Sequence, residues 1–438
     1  MKVGGGIFSN SISIITGNFL NKAVSIALLY FLTGYLAPSE FGRYSFVIAY
    51  VTFFGIFTDF GINTMMTREI SGGSITAAEG FGAAIAVRFI LTVVTGAVMI
   101  ASLALMGYPH EVVRLAAAAS LALFISFRGL FFRNVFEIPF QVNLKMGYPA
   151  AVNFINELFI IAVAVYLIKA GTGLFWLVLA MMLANLPGFT VMAYISTRAV
   201  PPSFNLRSGA LKAVLKSSMP LGVATLLEGV FIIIPVFLLS RFSTEEALGL
   251  YSLSFRLVSS LWIMPVALMV SMLPRMSRDV LVLRSGVRHG FFKGLRIIVV
   301  AGVAVALLTG YFSHTVIRHF TGPGFMDAAP VLTIMIWGTF AYAVNTAFYY
   351  AYTAAGLQKV NTVVWSTVSV LSAVLCVFLI PVYHATGAAI SFVASLAAGV
   401  AVNVLFCRKM LGAHDEALTG SIKRLFLGIF VFAQKDRN

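Results

Sequence analysis

The chain has 438 residues and a formal net charge of +15 at pH 7, with 60% hydrophobic and only 10% charged residues. A soluble domain has about 25% charged residues, so this composition excludes a soluble globular enzyme and indicates a polytopic integral membrane protein. The basic excess could indicate a nucleic-acid partner, but the placement of the basic residues around apolar segments explains it without one.

Apolar segments recur along the chain, each long enough to cross a hydrocarbon core of about 30 Å as a helix. They lie at 7–36, 44–66, 82–106, 112–132, 150–168, 174–195, 219–239, 250–273, 297–317, 331–355, 360–380 and 385–406. The sequence therefore predicts an all-α fold with about twelve transmembrane helices.

The lysines and arginines are distributed unevenly between the two sides of these segments. With the N-terminus in the cytoplasm, most fall on the inner side, and few fall outside: Arg43, Arg114, Lys169, Arg241 and Arg318. Because basic loops stay inside, we expect a multi-pass protein of the inner (cytoplasmic) membrane with a cytoplasmic N-terminus. The first apolar segment is too long for a cleavable signal peptide.

The second half of the chain repeats the first. Gly42-Arg43-Tyr44-Ser45 returns as Gly249-Leu250-Tyr251-Ser252, and Arg88-Phe89-Ile90 returns as Arg296-Ile297-Ile298. An offset of about 207 residues with an even number of spans per copy predicts two parallel halves around a central site.

This repeat divides the chain into four predicted regions. They are a six-helix bundle at 1–200, a cytoplasmic interfacial linker at 201–218, a second six-helix bundle at 219–407 and a cytoplasmic or interfacial tail at 408–438. The apolar stretch 425–433 in the tail is too short to span, so it either lies at the interface or is the stub of another helix.

Ionisable residues within the apolar segments are the candidate functional groups. Each costs about 2.5 to 3.5 kcal/mol at the bilayer centre, so all should face a wet or protein-lined interior. They are Lys22, Asp59, Arg128, Glu157, Glu228 and Arg256.

Two of these residues have polar neighbours on the same helix face. Lys22 is aligned with Ser11, Asn18 and Ser25 at helical spacing, and Arg256 lies near Ser252, Ser259 and Ser260. We expect Lys22 and Arg256 to contact substrate. For Asp59, Arg128 and Glu157 an equally good interpretation is mutual pairing, for instance of Asp59 with Arg128.

Motifs of soluble enzymes and metal sites are missing from the sequence. There is no phosphate-binding Gly-x-x-x-x-Gly-Lys-Ser/Thr, no His-Glu-x-x-His and no cysteine pair at metal spacing, and the histidines are scattered. We therefore expect a transporter without a metal, a cofactor or an ATP site, driven by an ion gradient, the membrane potential or the substrate gradient.

The first part of the chain resembles the start of Wzx-type polysaccharide flippases, which share a superfamily with lipid II flippases and multidrug exporters. The matching residues are Leu36-Ala37-Pro38-Ser39-Glu40-Phe41-Gly42-Arg43-Tyr44-Ser45, Thr58-Asp59-Phe60-Gly61-Ile62-Asn63 and Arg68-Glu69-Ile70. The resemblance implies two six-helix bundles around a central cavity, working by alternating access.

The resemblance also implies a cargo, a polyprenyl-linked oligosaccharide moved from the inner to the outer leaflet. Lys22, Arg256 and Arg128 would bind its phosphate or pyrophosphate, and Asn18, Asn21 and Asn345 its sugar hydroxyls. Asp59, Glu157 or Glu228 could couple transport to a proton or sodium ion. The implied partners are membrane lipids and other glycan-assembly proteins, and the expected oligomeric state is a monomer.

Two other functions compete with this one. An exporter of cationic drugs would need carboxylates to dominate the cavity. A membrane-embedded glycosyltransferase or glycan polymerase would need a sizeable catalytic outer loop, whereas the predicted outer loops are about two to ten residues long.

Overall fold

The computed structural model describes residues 3–128, 130–204, 208–282, 288–354 and 357–410. Every regular element in these ranges is a helix. The tail stretch 425–433 and its predicted interfacial position lie outside the described residues.

The described part of the N-terminal half contains ten α-helices. They are α1 (Val3–Tyr35), α2 (Pro38–Asp59), α3 (Ile62–Ser71), α4 (Ala77–Leu105), α5 (His110–Ala119), α6 (Ala122–Ile125), α7 (Ile138–Val142), α8 (Gly147–Lys169), α9 (Leu174–Leu183) and α10 (Leu186–Ala199), with a 3-10 helix at Phe132–Glu137 before α7. Residues at the N-termini explain where two of these helices begin. Pro38 is the first residue of α2, and Glu40 lies in its first turn. At the start of α4, the Thr76 hydroxyl accepts a hydrogen bond from the Glu79 backbone amide.

The C-terminal half contains the remaining helices. They are α11 (Ser208–Phe242), α12 (Glu245–Ser260), α13 (Ile263–Val282), α14 (Arg288–Tyr311), α15 (Ser313–Phe320), α16 (Ala328–Ala354) and α17 (Gln358–Met410), with a 3-10 helix at Pro323–Phe325. α11 begins at Ser208, within the predicted linker 201–218, and continues into the predicted span without a break. The interfacial position of this linker stays a prediction.

The helical membrane class is confirmed. Eight helical segments of the described residues are long and apolar enough to cross a membrane, and Phe19–Tyr35 and Gly229–Phe242 form shorter apolar helices. α17 combines two predicted spans across a break at His384, which has φ 50°. The span predicted at 112–132 is broken, because α5 ends at Ala119 and α6 has only four residues. The count of twelve spans stays a prediction.

The two halves meet most extensively where α2 packs against α12, and α2 also packs along α11. The repeated glycines are at this contact. A Cβ on Gly42 would be 1.9 Å from the Glu245 carbonyl oxygen, and one on Gly249 would be 2.1 Å from the Pro38 carbonyl oxygen. The duplicated motif is therefore the place where the two helix backbones touch, which only glycine allows.

Charged and polar groups join the halves at the same end of the molecule. Arg43 on α2 bonds Glu245 of α12 at 2.8 Å and Glu111 of α5 at 2.9 Å. The Tyr108 and Ser240 hydroxyls bond across the halves at 2.8 Å. Burial raises the pKa of Tyr108 above its ordinary value, so this hydroxyl stays protonated. We call this end the Arg43 face; here it is closed.

Candidate functional site

A polar cavity of about 340 Å³ lies between the two halves. The N-terminal half contributes Asn21, Lys22 and Ser25 from α1, Phe127 and Arg128 from the segment after α6, and Glu157 from α8, while the C-terminal half contributes Ser259, Ser260 and Ile263. The sequence-predicted residues Lys22, Arg128, Glu157 and Asn21 therefore meet at one site.

Arg128 and Glu157 form an ion pair in the cavity wall. The Arg128 Nη2 and Nε donate to the two Glu157 carboxylate oxygens, a bidentate arrangement, and the Ser25 hydroxyl donates to Glu157 at 3.0 Å. Glu157 is fully buried, whereas the Arg128 side chain is 37% exposed. The carboxylate thus neutralises Arg128 and ties α1 to α8.

Lys22 and Arg256 form no ion pair within the described residues. Lys22 lines the cavity and is under the positive charge of both Arg256 and Arg128. Since Glu157 balances Arg128, Lys22 and Arg256 remain without a counter-ion among the side chains that the structure describes. An anion entering the cavity would relieve their repulsion, and this favours a phosphate or carboxylate group over a cation.

Arg256 lies over two aromatic rings of the opposite half. Its guanidinium carbon is 5.5 Å from the Phe41 ring centroid and 5.1 Å from the Tyr44 ring centroid. Stacking on aromatic faces leaves the in-plane N–H donors of an arginine free. The Ser259 hydroxyl donates to the Arg256 backbone carbonyl at 3.3 Å, but the Arg256 guanidinium has no hydrogen-bond partner among the described residues.

Neutral polar groups complete the wall. Ser259 and Ser260 are on α12, one turn after Arg256, and Asn21 faces them from α1. The Asn21 side-chain oxygen is buried and has no partner among the described residues. A buried, unbonded acceptor suits a ligand hydroxyl or water.

A smaller cavity of about 150 Å³ lies inside the N-terminal half, and Arg128 lines both cavities. Its wall is mainly apolar, with Ile48, Met181 and Met182, and it includes Tyr44. Arg128 and Tyr44 therefore connect this space to the charged site.

Asp59 is not in the cavity, and the suggested pair with Arg128 is wrong. Asp59 pairs with Arg88 at 3.2 Å and accepts a hydrogen bond from the Asn63 backbone amide at 3.1 Å. This hydrogen bond satisfies an amide in the first turn of α3, which follows Phe60 and Gly61 in the left-handed backbone conformation. Arg88 is fully buried and also donates to the Thr58 carbonyl at 3.2 Å. This cluster fixes the broken backbone between α2 and α3, so ion coupling through Asp59 has no support in its position.

Asn345 is also placed elsewhere. Its amide donates to the Leu396 carbonyl at 2.9 Å and accepts from Asn403 at 2.8 Å, joining α16 to α17 inside the C-terminal half. The predicted sugar contact is therefore replaced by a structural role, since the side chain is buried and engaged. The side chains of Asn18 and Glu228 lie outside the described residues.

A metal site would need several donor side chains close together. No cluster of His, Cys, Asp and Glu that could hold a metal ion occurs in the ranges the structure covers.

Sequence reasoning missed the aromatic neighbours of Arg256 and the burial of Arg88 and Arg133. Tyr44 belongs to the repeated motif and Phe41 directly precedes it, but a ring in an apolar helix is ordinarily a packing residue, so nothing in the sequence distinguishes these two rings. Arg133 is buried, and it stacks on Phe127 at 5.3 Å and donates to the Gly188 carbonyl at 3.1 Å. The polar residues aligned with Lys22 on α1 and the sequence repeat were the signals that indicated a site between the halves.

The fold and the cavity are those of a helical membrane protein with a space between its two halves. A family model described as "Polysaccharide biosynthesis protein" matches residues 7–279, and a model named MatE matches residues 220–378. The chain belongs to this polysaccharide biosynthesis protein family. No curated relative matches it.

Solved structures similar to this chain include a flippase and multidrug transporters. The chain is similar to the lipid II flippase MurJ in its inward closed conformation, with a TM-score of 0.73 and 14% identity over 91% of this chain and 87% of the other. It is similar to an inward-facing multidrug resistance MATE family transporter of the MOP superfamily, with a TM-score of 0.63 and 14% identity over 88% and 94% of the chains. The eukaryotic MATE transporter AtDTX14 gives a TM-score of 0.64 and 14% identity over 96% and 100%.

Proposed function

We propose that this protein moves a polyprenyl-phosphate- or polyprenyl-diphosphate-linked oligosaccharide from the inner to the outer leaflet by alternating access. The observation that carries the proposal is a pair of cations without counter-ions among the described residues: Lys22 lines the cavity between the halves, and Arg256 is close enough for its charge to act on Lys22. The polysaccharide biosynthesis family supports a glycan cargo.

The cavity has separate features for the parts of such a cargo. Lys22 and Arg256 bind the phosphate or diphosphate, with Arg128 adding donors if the anion competes with Glu157. Asn21, Ser259 and Ser260 offer hydrogen-bonding groups to the first sugar. α1 packs mainly on α8, whereas α12 packs on α2 and α16, so few contacts join α1 to α12. The polyprenyl chain stays in the bilayer and passes between these two helices.

The orientation follows from the basic residues. With a cytoplasmic N-terminus in the inner membrane, the Arg43 face is the outer face, and its closure makes this an inward-facing state. The protein then acts as a monomer among membrane lipids and receives its cargo from other glycan-assembly proteins.

The membrane potential supplies a driving force for an anionic head group. An inside-negative potential favours outward movement by about 2.3 kcal/mol per charge per 100 mV. A diphosphate with two charges therefore moves outward without a coupled ion. Among the described carboxylates Glu157 alone lines the cavity, so it is the position at which a proton or sodium ion would couple.

Binding of farnesyl diphosphate to the purified protein tests the site. Lys22→Ala and Arg256→Ala should each weaken binding by at least about tenfold, because each removes a charge-assisted contact. The matched controls are Lys169→Ala and Arg296→Ala, which remove exposed cations away from the cavity. If the wild-type protein does not bind farnesyl diphosphate but binds ethidium, the result would favour an exporter of cationic drugs. Lengthening of a lipid-linked glycan by the purified protein would favour a glycosyltransferase.

A further inference from the structure

The anion site and the contact that closes the Arg43 face share residues. Phe41 and Tyr44 flank Gly42, where the α2 backbone touches α12, and the same two rings lie beneath Arg256. The rings belong to the N-terminal half and the guanidinium to the C-terminal half. They can meet only while α2 and α12 are in contact.

The two rings are held firmly in this closed state. Phe41 is fully buried and packs edge-on against Phe325 of the C-terminal half at 5.6 Å, and Tyr44 is only 2% exposed. On the same side of α2, one turn beyond Gly42, Ser45 is buried, and so is its repeat counterpart Ser252 on α12; neither hydroxyl has a hydrogen-bond partner among the described residues. The seam is closely packed from Pro38 to Ser45.

We propose that Phe41 and Tyr44 are positioning residues that orient Arg256 for a phosphate only while the Arg43 face is closed, so that opening this face weakens the anion site. Stacking fixes the plane of the Arg256 guanidinium and leaves its N–H donors free. Less side-chain entropy is therefore lost when Arg256 binds the phosphate. The inference rests on the proposed function and adds a mechanism of release: the head group is bound tightly on the closed side and loosely once the face opens.

Linkage gives the proposal a second consequence. If closure strengthens anion binding by some factor, anion binding stabilises closure by the same factor. A diphosphate should therefore protect the α2–α12 seam from water-soluble reagents.

Two substitutions of Tyr44, one that removes the ring and one that keeps it, distinguish a positioning role from a packing role. Tyr44→Leu should weaken farnesyl diphosphate binding by about three- to tenfold, and Tyr44→Phe, which keeps the ring, should bind like wild type. Phe41→Leu removes the other ring and tests the same point if Tyr44→Leu does not accumulate. Equal affinity of Tyr44→Leu and Tyr44→Phe, both folded, would overturn the proposal.

A thiol at the seam reports closure. Ser45→Cys introduces a near-isosteric thiol at the seam, while the native Cys376 and Cys407 are buried. Farnesyl diphosphate should slow maleimide labelling of Ser45→Cys in nanodiscs, and should slow it less when Tyr44→Leu is added. Ligand that binds without changing the labelling rate contradicts the proposal. Loss of binding in Lys22→Ala but not in Tyr44→Leu would refute it and leave the proposed function intact, whereas a wild-type protein that binds no diphosphate refutes both.

Discussion

Adding one methyl group at Gly42 should force the Arg43 face open. In the structure a Cβ at this position would be 1.9 Å from the Glu245 carbonyl oxygen and 2.9 Å from its carbonyl carbon. An ordinary contact begins at about 3.4 Å, so α2 and α12 must separate by about 1.5 Å in Gly42→Ala. The obstacle is backbone, which cannot rotate away as a flexible side chain would.

The energetic cost can be estimated from overpacked cores. Overpacking costs about 1 to 3 kcal/mol, which changes the ratio of closed to open molecules by roughly 5- to 150-fold. Labelling of Ser45→Cys by an impermeant maleimide in nanodiscs should accelerate by a comparable factor. Gly34→Ala is the matched control, because Gly34 is an exposed helical glycine whose added Cβ would meet nothing within 4 Å.

The reasoning would be refuted if Gly42→Ala and Gly34→Ala labelled at the same rate in folded protein. Gly249→Ala offers an independent repetition, because its Cβ would be 2.1 Å from the Pro38 carbonyl oxygen on the other helix.

Three further predictions concern the buried charges and amides. Arg88→Leu should lower stability by about 3 to 5 kcal/mol, because it leaves the Asp59 carboxylate buried and unpaired; a thermal unfolding midpoint equal to that of wild type would contradict this. Glu157→Gln should tighten farnesyl diphosphate binding several-fold, since it frees the Arg128 donors for the anion; equal or weaker binding in a titration would show that the pair does not compete with the anion. Asn345→Ala should lower the thermal midpoint through loss of about 1 to 3 kcal/mol while diphosphate affinity stays unchanged, because its amide is bonded inside the C-terminal half; a loss of affinity in stable protein would return it to the site.

Much of the architecture could be predicted from the sequence, because each part has a one-dimensional signal. Apolar length identifies membrane helices, and the repeated Gly42 and Gly249 motifs indicate duplicated halves. Breaks inside apolar segments were not predictable. α5 ends at Ala119 and α6 has only four residues, although the residues between Leu121 and Ile125 are uniformly apolar.

The candidate site was predictable where charge and helical spacing coincide. Lys22 and Arg128 line the cavity, as expected from the cost of charge in a bilayer. Pairing between helices is a tertiary property, which explains why Asp59 pairs with Arg88 rather than Arg128. Likewise Asn345 could not be distinguished from a ligand-binding amide, because its partners on α17 are distant in sequence.

Transfer of a lipid-linked sugar across the bilayer tests the central claim most directly. The protein is reconstituted in vesicles with a labelled polyprenyl-diphosphate sugar in one leaflet and an inside-negative potential, and an impermeant reagent detects label reaching the other leaflet. The account predicts transfer by wild type and by the Lys169→Ala control, and none by Lys22→Ala or Arg256→Ala. Transfer that is unaffected by the loss of both Lys22 and Arg256 would contradict it.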